Sequence, residues 1–190
     1  MDRKIPTKRS GLTLIELTVA ITIALLILLI VSSTFILNQR VFRKSNLKSE
    51  LVQNARITLD LMSREIRQAK ELVTILPTDD SDPLTVPHEI QFEDGHTTSQ
   101  IQYIRYFLDS DDLKKQIIVY YFDTDPSTYV YWDDVDAFGA PDQSVLEEKI
   151  IGENFSSMNF FGGDNITIEL FLEKQTEAIE IDTVINPRNI

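Results

Sequence analysis

The chain contains no cysteine. That excludes a disulfide framework, a thiolate metal site and a cysteine nucleophile, so whatever folds here is held by packing alone. Histidine occurs twice, as His88 and His96, without the paired spacing of a zinc site. Glycine and proline are equally informative by their absence. Neither occurs from residue 12 to residue 76, and Pro77 is the first interruption. Basic residues are scarce against acidic ones, 18 to 30, for a formal net charge of −12. A surface this acidic opposes nucleic acid as a direct partner, because phosphate contacts need Lys and Arg. Serine nucleophile elbows, phosphate-cradling glycine loops and zinc-helix motifs are all missing. No catalytic constellation singles itself out, and the chain reads as a non-enzyme.

What is present begins at the N-terminus. Arg3, Lys4, Lys8 and Arg9 stand against Asp2 in residues 1–11, so removing that segment would leave a remainder near −15. Residues 12–37 form an apolar run of 26 residues, about 39 Å of helix and enough to span a hydrocarbon core of roughly 30 Å. One carboxylate, Glu16, lies near its start. An ionisable group inside a membrane segment costs free energy and usually marks a functional contact. Arg40, Arg43, Lys44 and Lys48 follow the run, so the positive-inside rule does not set its orientation.

The stretch Lys8-Arg9-Ser10-Gly11-Leu12-Thr13-Leu14-Ile15-Glu16-Leu17 resembles the N-terminus of type IV prepilins. These have a basic leader, a glycine at the cleavage point, an apolar residue, and a glutamate five residues into the mature chain. The family usually has Phe where this chain has Leu12. The resemblance implies cleavage between Gly11 and Leu12 by a prepilin peptidase on the cytoplasmic side, with Lys8 and Arg9 as leader charge. It implies N-methylation of Leu12 and pairing of Glu16 with the N-terminal amine of a neighbouring subunit during assembly. The location it implies is the cytoplasmic (inner) membrane in a single pass, with the C-terminal part extracytoplasmic, then a pilus or pseudopilus. Two plainer alternatives exist for the same run: an uncleaved signal anchor, and signal-peptidase release after Val31-Ser32-Ser33. The second is disfavoured by an apolar core longer than 7–15 residues and by a glutamate inside it.

Beyond the membrane segment, Val52, Ala55, Leu59, Met62, Ile66, Ala69 and Val73 recur at spacings of three and four, the apolar face of a continuing helix. Arg56, Asp60, Arg64, Arg67 and Lys70 lie off that face, with Asp60 and Arg64 at the i, i+4 spacing of an ion pair. A loop with three prolines is expected over 77–88. Strand signals follow at 89–93, 101–108, 116–122, 128–132, 157–161, 166–172 and 178–185. Turns are expected at 94–95, 109–112 and 162–165, and a polar loop at 133–144. The fold class is therefore α+β, a long helix packed on an antiparallel β-sheet head. The expected divisions are a leader at 1–11, a transmembrane helix at 12–37, an amphipathic helix at 38–76 and a β-rich extracytoplasmic domain at 77–190.

Residues 53–56 and 62–69, with the ending 158–161, the strand 166–172 and the segment 184–189, resemble J-type minor pseudopilins of type II secretion and PilW-like minor pilins. Filament-forming relatives commonly place a proline near the position of Ser33, and its absence here implies a minor subunit. The partners implied are the prepilin peptidase, other major and minor pilins or pseudopilins, and the inner-membrane assembly platform. No cofactor is implied. The acidic turns hold candidate calcium ligands in Asp109, Asp111, Asp123, Asp125, Asp133 and Asp136, since calcium takes six to eight oxygens from such loops, although no EF-hand spacing occurs. The competing reading is a signal-anchored extracytoplasmic domain that binds calcium or another ligand by itself. Among the aromatic residues between Tyr103 and Trp132, strand alternation is expected to send half into the core.

Overall fold

A computed structural model describes residues 13–79, 81, 86–96 and 100–188. One helix, α1 (Leu14–Ile66), precedes eight strands, all paired antiparallel. Residues 1–45 and 46–190 form two separate compact units. In the first, the apolar side chains of α1 are open to their surroundings from Leu14 to Leu37. Its run of Leu, Ile, Val and Ala has no helix breaker, and the backbone satisfies its own hydrogen bonds as a bilayer requires.

In the second unit, α1 turns Leu51, Ala55, Leu59, Met62 and Ile66 inward, with Thr58 buried among them. The seam matches the expected three-four spacing except at its start, where Leu51 rather than Val52 is buried. Five strands make one sheet: β1 (Glu89–Glu93), β2 (Tyr103–Asp109), β3 (Asp112–Phe122), β4 (Asp125–Val130) and β5 (Asp142–Glu153). β2 pairs with the first half of β3 and β4 with its end, while β5 runs along residues 112–121. Since β5 overlaps both partners, β2 and β4 must share one edge of β3 and β5 takes the other. β6 (Phe155–Phe161), β7 (Ile166–Lys174) and β8 (Glu177–Ile185) make a second sheet in the order β6-β7-β8. Strict alternation places Ile166, Ile168, Leu170 and Leu172 of β7 in the core. There they join Phe155, Met158 and Phe160 of β6, Phe92 of β1 and Tyr106 of β2 around the helix. Each fully buried side chain of this size contributes roughly 1.5–3 kcal/mol.

A polar clamp fixes the helix to the first sheet. Lys115 Nζ donates to Glu65 Oε1 at 2.6 Å, and the Tyr106 hydroxyl donates to Glu65 Oε2. Burial first, and the Glu65 carboxylate second, push the Tyr106 phenol far above its ordinary value; burial does the same for Tyr103. The folded chain therefore keeps these protons at a pH where the unfolded chain, titrating at about 10, has lost them. Their stabilisation is complete below that value and falls above it, at about 1.4 kcal/mol per pH unit for each group. Denaturant titrations of the detergent-solubilised chain should show this decline starting near pH 10, with Tyr106→Phe removing one group's share of the slope. An unchanged pH dependence in that variant would refute the assignment.

β3 begins four residues earlier than expected and β4 three, and two segments depart further. The helix ends at Ile66 instead of running to residue 76. The bonds Gln68 N to Glu65 O and Ala69 N to Ile66 O tighten its last turn. The following residues then lie along the outer edge of β1. Lys70 N donates to Glu93 O, Glu93 N to Glu71 O, and Val73 N to Gln91 O, with Leu72 bridged to Phe92. Lys70 Nζ adds an ion pair to the buried Glu93 at 2.8 Å. Ala69 and Val73 keep a helical spacing, yet the open strand edge supplies backbone partners that another helical turn would leave unpaired. The second departure is β5, which begins within the expected polar loop and continues through residues for which no strand was expected. Its Leu-Glu-Glu-Lys stretch favours helix by composition. As an edge strand exposed along most of its length, it does not alternate. Two irregularities in its pairing, opposite Leu113/Lys114 and Ile117/Ile118, break the pattern further.

Candidate functional site

The site the sequence points to is the start of α1. Thr13 is its N-cap: Thr13 O accepts from Leu17 N at 3.1 Å, the first bond of the helix. Thr13 N and Thr13 Oγ1 both donate to Glu16 Oε2, at 2.8 and 2.9 Å, and Glu16 N donates back to Thr13 Oγ1 at 3.3 Å. This is a capping box, Thr-x-x-Glu, in which cap and third residue satisfy each other's orphan donors. A carboxylate here also meets the positive end of the helix dipole. Among the described residues, Glu16 thus has local partners for one oxygen, and no donor reaches Oε1. The four-residue spacing was legible as a capping motif, but the sequence reading used only Glu16 and missed Thr13.

Further along, the hydroxyls of Thr18, Thr22, Ser33 and Thr34 each donate to a carbonyl three or four residues back, at 2.8–2.9 Å. In hydrocarbon an unpaired hydroxyl would cost several kcal/mol, so self-satisfaction suits a lipid-facing helix. α1 is, among the described residues, the one helix long and apolar enough to cross a bilayer. Lys8, Arg9, Gly11 and Leu12 lie outside the described residues.

A family model, the prokaryotic N-terminal methylation motif, matches residues 6–32. The chain carries a type IV pilin-like prepilin signal. The match spans the Gly11–Leu12 junction, the capping box and most of the apolar run. No curated protein and no solved structure matches the chain. With the long apolar helix behind it, this prepilin-type signal is consistent with membrane anchoring, processing by prepilin peptidase and assembly with other pilins.

The calcium candidates are dispersed. Asp109 pairs with Lys114 Nζ at 2.6 Å beside a two-residue turn in which Ser110 takes a φ of 58°. Asp125 accepts from Ser127 Oγ, Thr128 Oγ1 and Ser127 N, and these bonds, the Ser127 hydroxyl foremost, hold its carboxyl below the usual range. Asp136 Oδ1 accepts from Phe138 N and Gly139 N. Asp123 and Asp136 do line one cleft together with Asp142. Even so, among the described residues no three His, Asp or Glu side chains are grouped to hold a metal ion. Asp111 and Asp133 stand apart in exposed turns. His88 Nδ1 lies 3.1 Å from Met158 O, and His96 pairs with Asp94.

Proposed function

We propose that this chain is a minor pilin or pseudopilin, cut between Gly11 and Leu12, methylated on Leu12, and built into the tip or initiation complex of a type IV pilus or type II secretion pseudopilus. The observation that carries the reading is the conjunction of the prepilin-type signal over residues 6–32 with a capped glutamate at the mouth of an exposed apolar helix. Cleavage creates an amine at Leu12, one helical turn from the Glu16 carboxylate. A lipid-embedded carboxylate with one oxygen uncommitted is suited to the amine of an incoming neighbour, because each ion needs a partner of opposite sign where water is excluded. The proline-free helix and the resemblance of residues 53–56 and 62–69 to J-type and PilW-like subunits favour a minor role over the bulk filament protein. The role is structural, with prepilin peptidase, other pilins and the inner-membrane assembly platform as partners.

The deciding measurement is the intact mass of the membrane-extracted chain, made with and without a prepilin peptidase. A species beginning at N-methyl-Leu12 only when the peptidase is present is expected. A chain that still begins at Met1, or one cut after Ser33, would overturn the reading.

A further inference from the structure

The ion pairs of the second unit are unevenly distributed. Between Lys70 and Lys174 every Lys and Arg is matched: Lys70 with Glu93, Arg105 with Glu89, Lys114 with Asp109 and Glu148, Lys115 with Glu65, Lys149 with Glu147 and Lys174 with Glu50. Among the described residues from 46 on, the cations that enter no ion pair are Lys48, Arg56, Arg64, Arg67 and Arg188. Three of these five, Arg64, Arg67 and Arg188, line a single cleft of about 480 Å³. Ser63, Gln68 and Thr183 add polar groups to its wall and Leu59 an apolar one, while Asp60 is its one carboxylate and forms no ion pair with Arg64.

The placement is built by the fold. Arg64 lies in the last turn of α1, where a cation complements the helix dipole, and that alone would account for one arginine. Arg188 comes from the far end of the chain, beyond β8. Its backbone N donates to Arg67 O at 3.3 Å, so the segment after the last strand is tied to the turn that ends the helix. Three guanidiniums are thereby gathered about one concavity in a chain with 30 acids, with Asp60 the one carboxylate in its lining. Like charges gathered this way repel one another, and an anion with several oxygens relieves that repulsion. Guanidinium is the cation best matched to carboxylate, through bidentate hydrogen bonds.

We infer that the Arg64–Arg67–Arg188 cleft binds an acidic segment, carrying two or more carboxylates, of a different subunit in the same assembly. The inference rests on the assembly reading above. Its physical support is charge complementarity: on an acidic head this cleft gathers three guanidiniums against one carboxylate, a locally positive surface that an acidic segment fits. The net charge of −12 disfavours a phosphate backbone in the same place.

Two measurements test it. A fluorescent hexaglutamate peptide, titrated against the detergent-solubilised full chain, should bind the unaltered protein. Its affinity should fall on the order of tenfold in Arg64→Gln/Arg67→Gln and in Arg188→Gln, and fall less in the matching Arg→Lys variants, which keep the charge but lose the bidentate fork; circular dichroism of each variant reports that the fold is intact. No binding, equal binding by the Gln variants, or tighter binding of an oligonucleotide of equal charge would each overturn the carboxylate site. Any of those results leaves cleavage at Gly11, and hence the prepilin reading, untouched. In cells, the absence of native cysteine allows Arg188→Cys to be cross-linked cleanly. The expected adduct is a peptide of another subunit with at least two Asp or Glu beside the linked residue. A second copy of this chain there, or a partner peptide without acids, would overturn the assignment.

Discussion

Glu16→Ala should be cleaved and methylated normally yet fail to assemble. Incorporation into sheared filaments or pseudopili should fall at least a hundredfold, judged by immunoblot against the unaltered chain. An amine brought into a lipid-embedded interface without its carboxylate is an unpaired buried ion, costing about 3–5 kcal/mol, and each 1.4 kcal/mol is tenfold in an equilibrium. Glu16 has two duties, however, since it also completes the capping box with Thr13. Glu16→Gln separates them. Glutamine serves the box as well as glutamate but brings no charge. If charge pairing is what assembly needs, Glu16→Gln fails like Glu16→Ala. Should Glu16→Gln assemble normally, the glutamate is a helix cap and the pairing role is wrong.

The second large effect is expected in the second unit. A Cβ at Gly95 would stand 1.7 Å from the carbonyl oxygen of Gln68, a backbone atom. That carbonyl cannot retreat easily. Gln68 N is bonded to Glu65 O, and two residues later Lys70 N is bonded to Glu93 O, so both sides of the turn are pinned. Gly95→Ala must therefore push the turn after α1 away from β1, loosening the Lys70–Glu93 pair and the Leu72–Phe92 bridge with it. Overpacking of this kind costs up to about 3 kcal/mol, or roughly 10 °C in melting temperature for a chain of this size. Gly163→Ala is the control, because nothing lies within 4 Å of the added methyl and the smaller backbone entropy of the unfolded chain then favours the variant slightly. Circular dichroism melts of both variants decide the point. Equal melting temperatures would show that the turn yields freely and that Gly95 is not a packing constraint.

Legibility followed the physics of each signal. The β7 strand was readable because it is buried on one face, so its Ile-x-Ile-x-Leu-x-Leu pattern reports the core directly. β1, β2 and β8 were readable within a residue or two for related reasons. β5 was not, because an exposed edge strand has no buried face to impose a period, and its residues answer to solvent and to cross-strand ions such as Lys114–Glu148. At the candidate site, Glu16 stood out as a lone charge in an apolar run. Thr13 was legible too, as the first residue of a Thr-x-x-Glu capping motif, but the reading fixed on the charge, and the structure shows its hydroxyl and amide on the same carboxylate oxygen.

By itself the sequence determined the membrane-length apolar helix, its prepilin-type opening, the inward seam of residues 55–66 and the α+β class, all of them local patterns in which neighbouring residues carry the information. The tertiary structure decided where the helix stops, because an open edge of β1 took the backbone groups that another turn would have left unpaired. It decided the long edge strand for the converse reason: the free edge of β3 was there to be paired, whatever the propensity of the residues that paired it. It also brought Arg188 to Arg64 and Arg67, since charges distant in sequence share a cleft only after the last strand has been laid against the sheet.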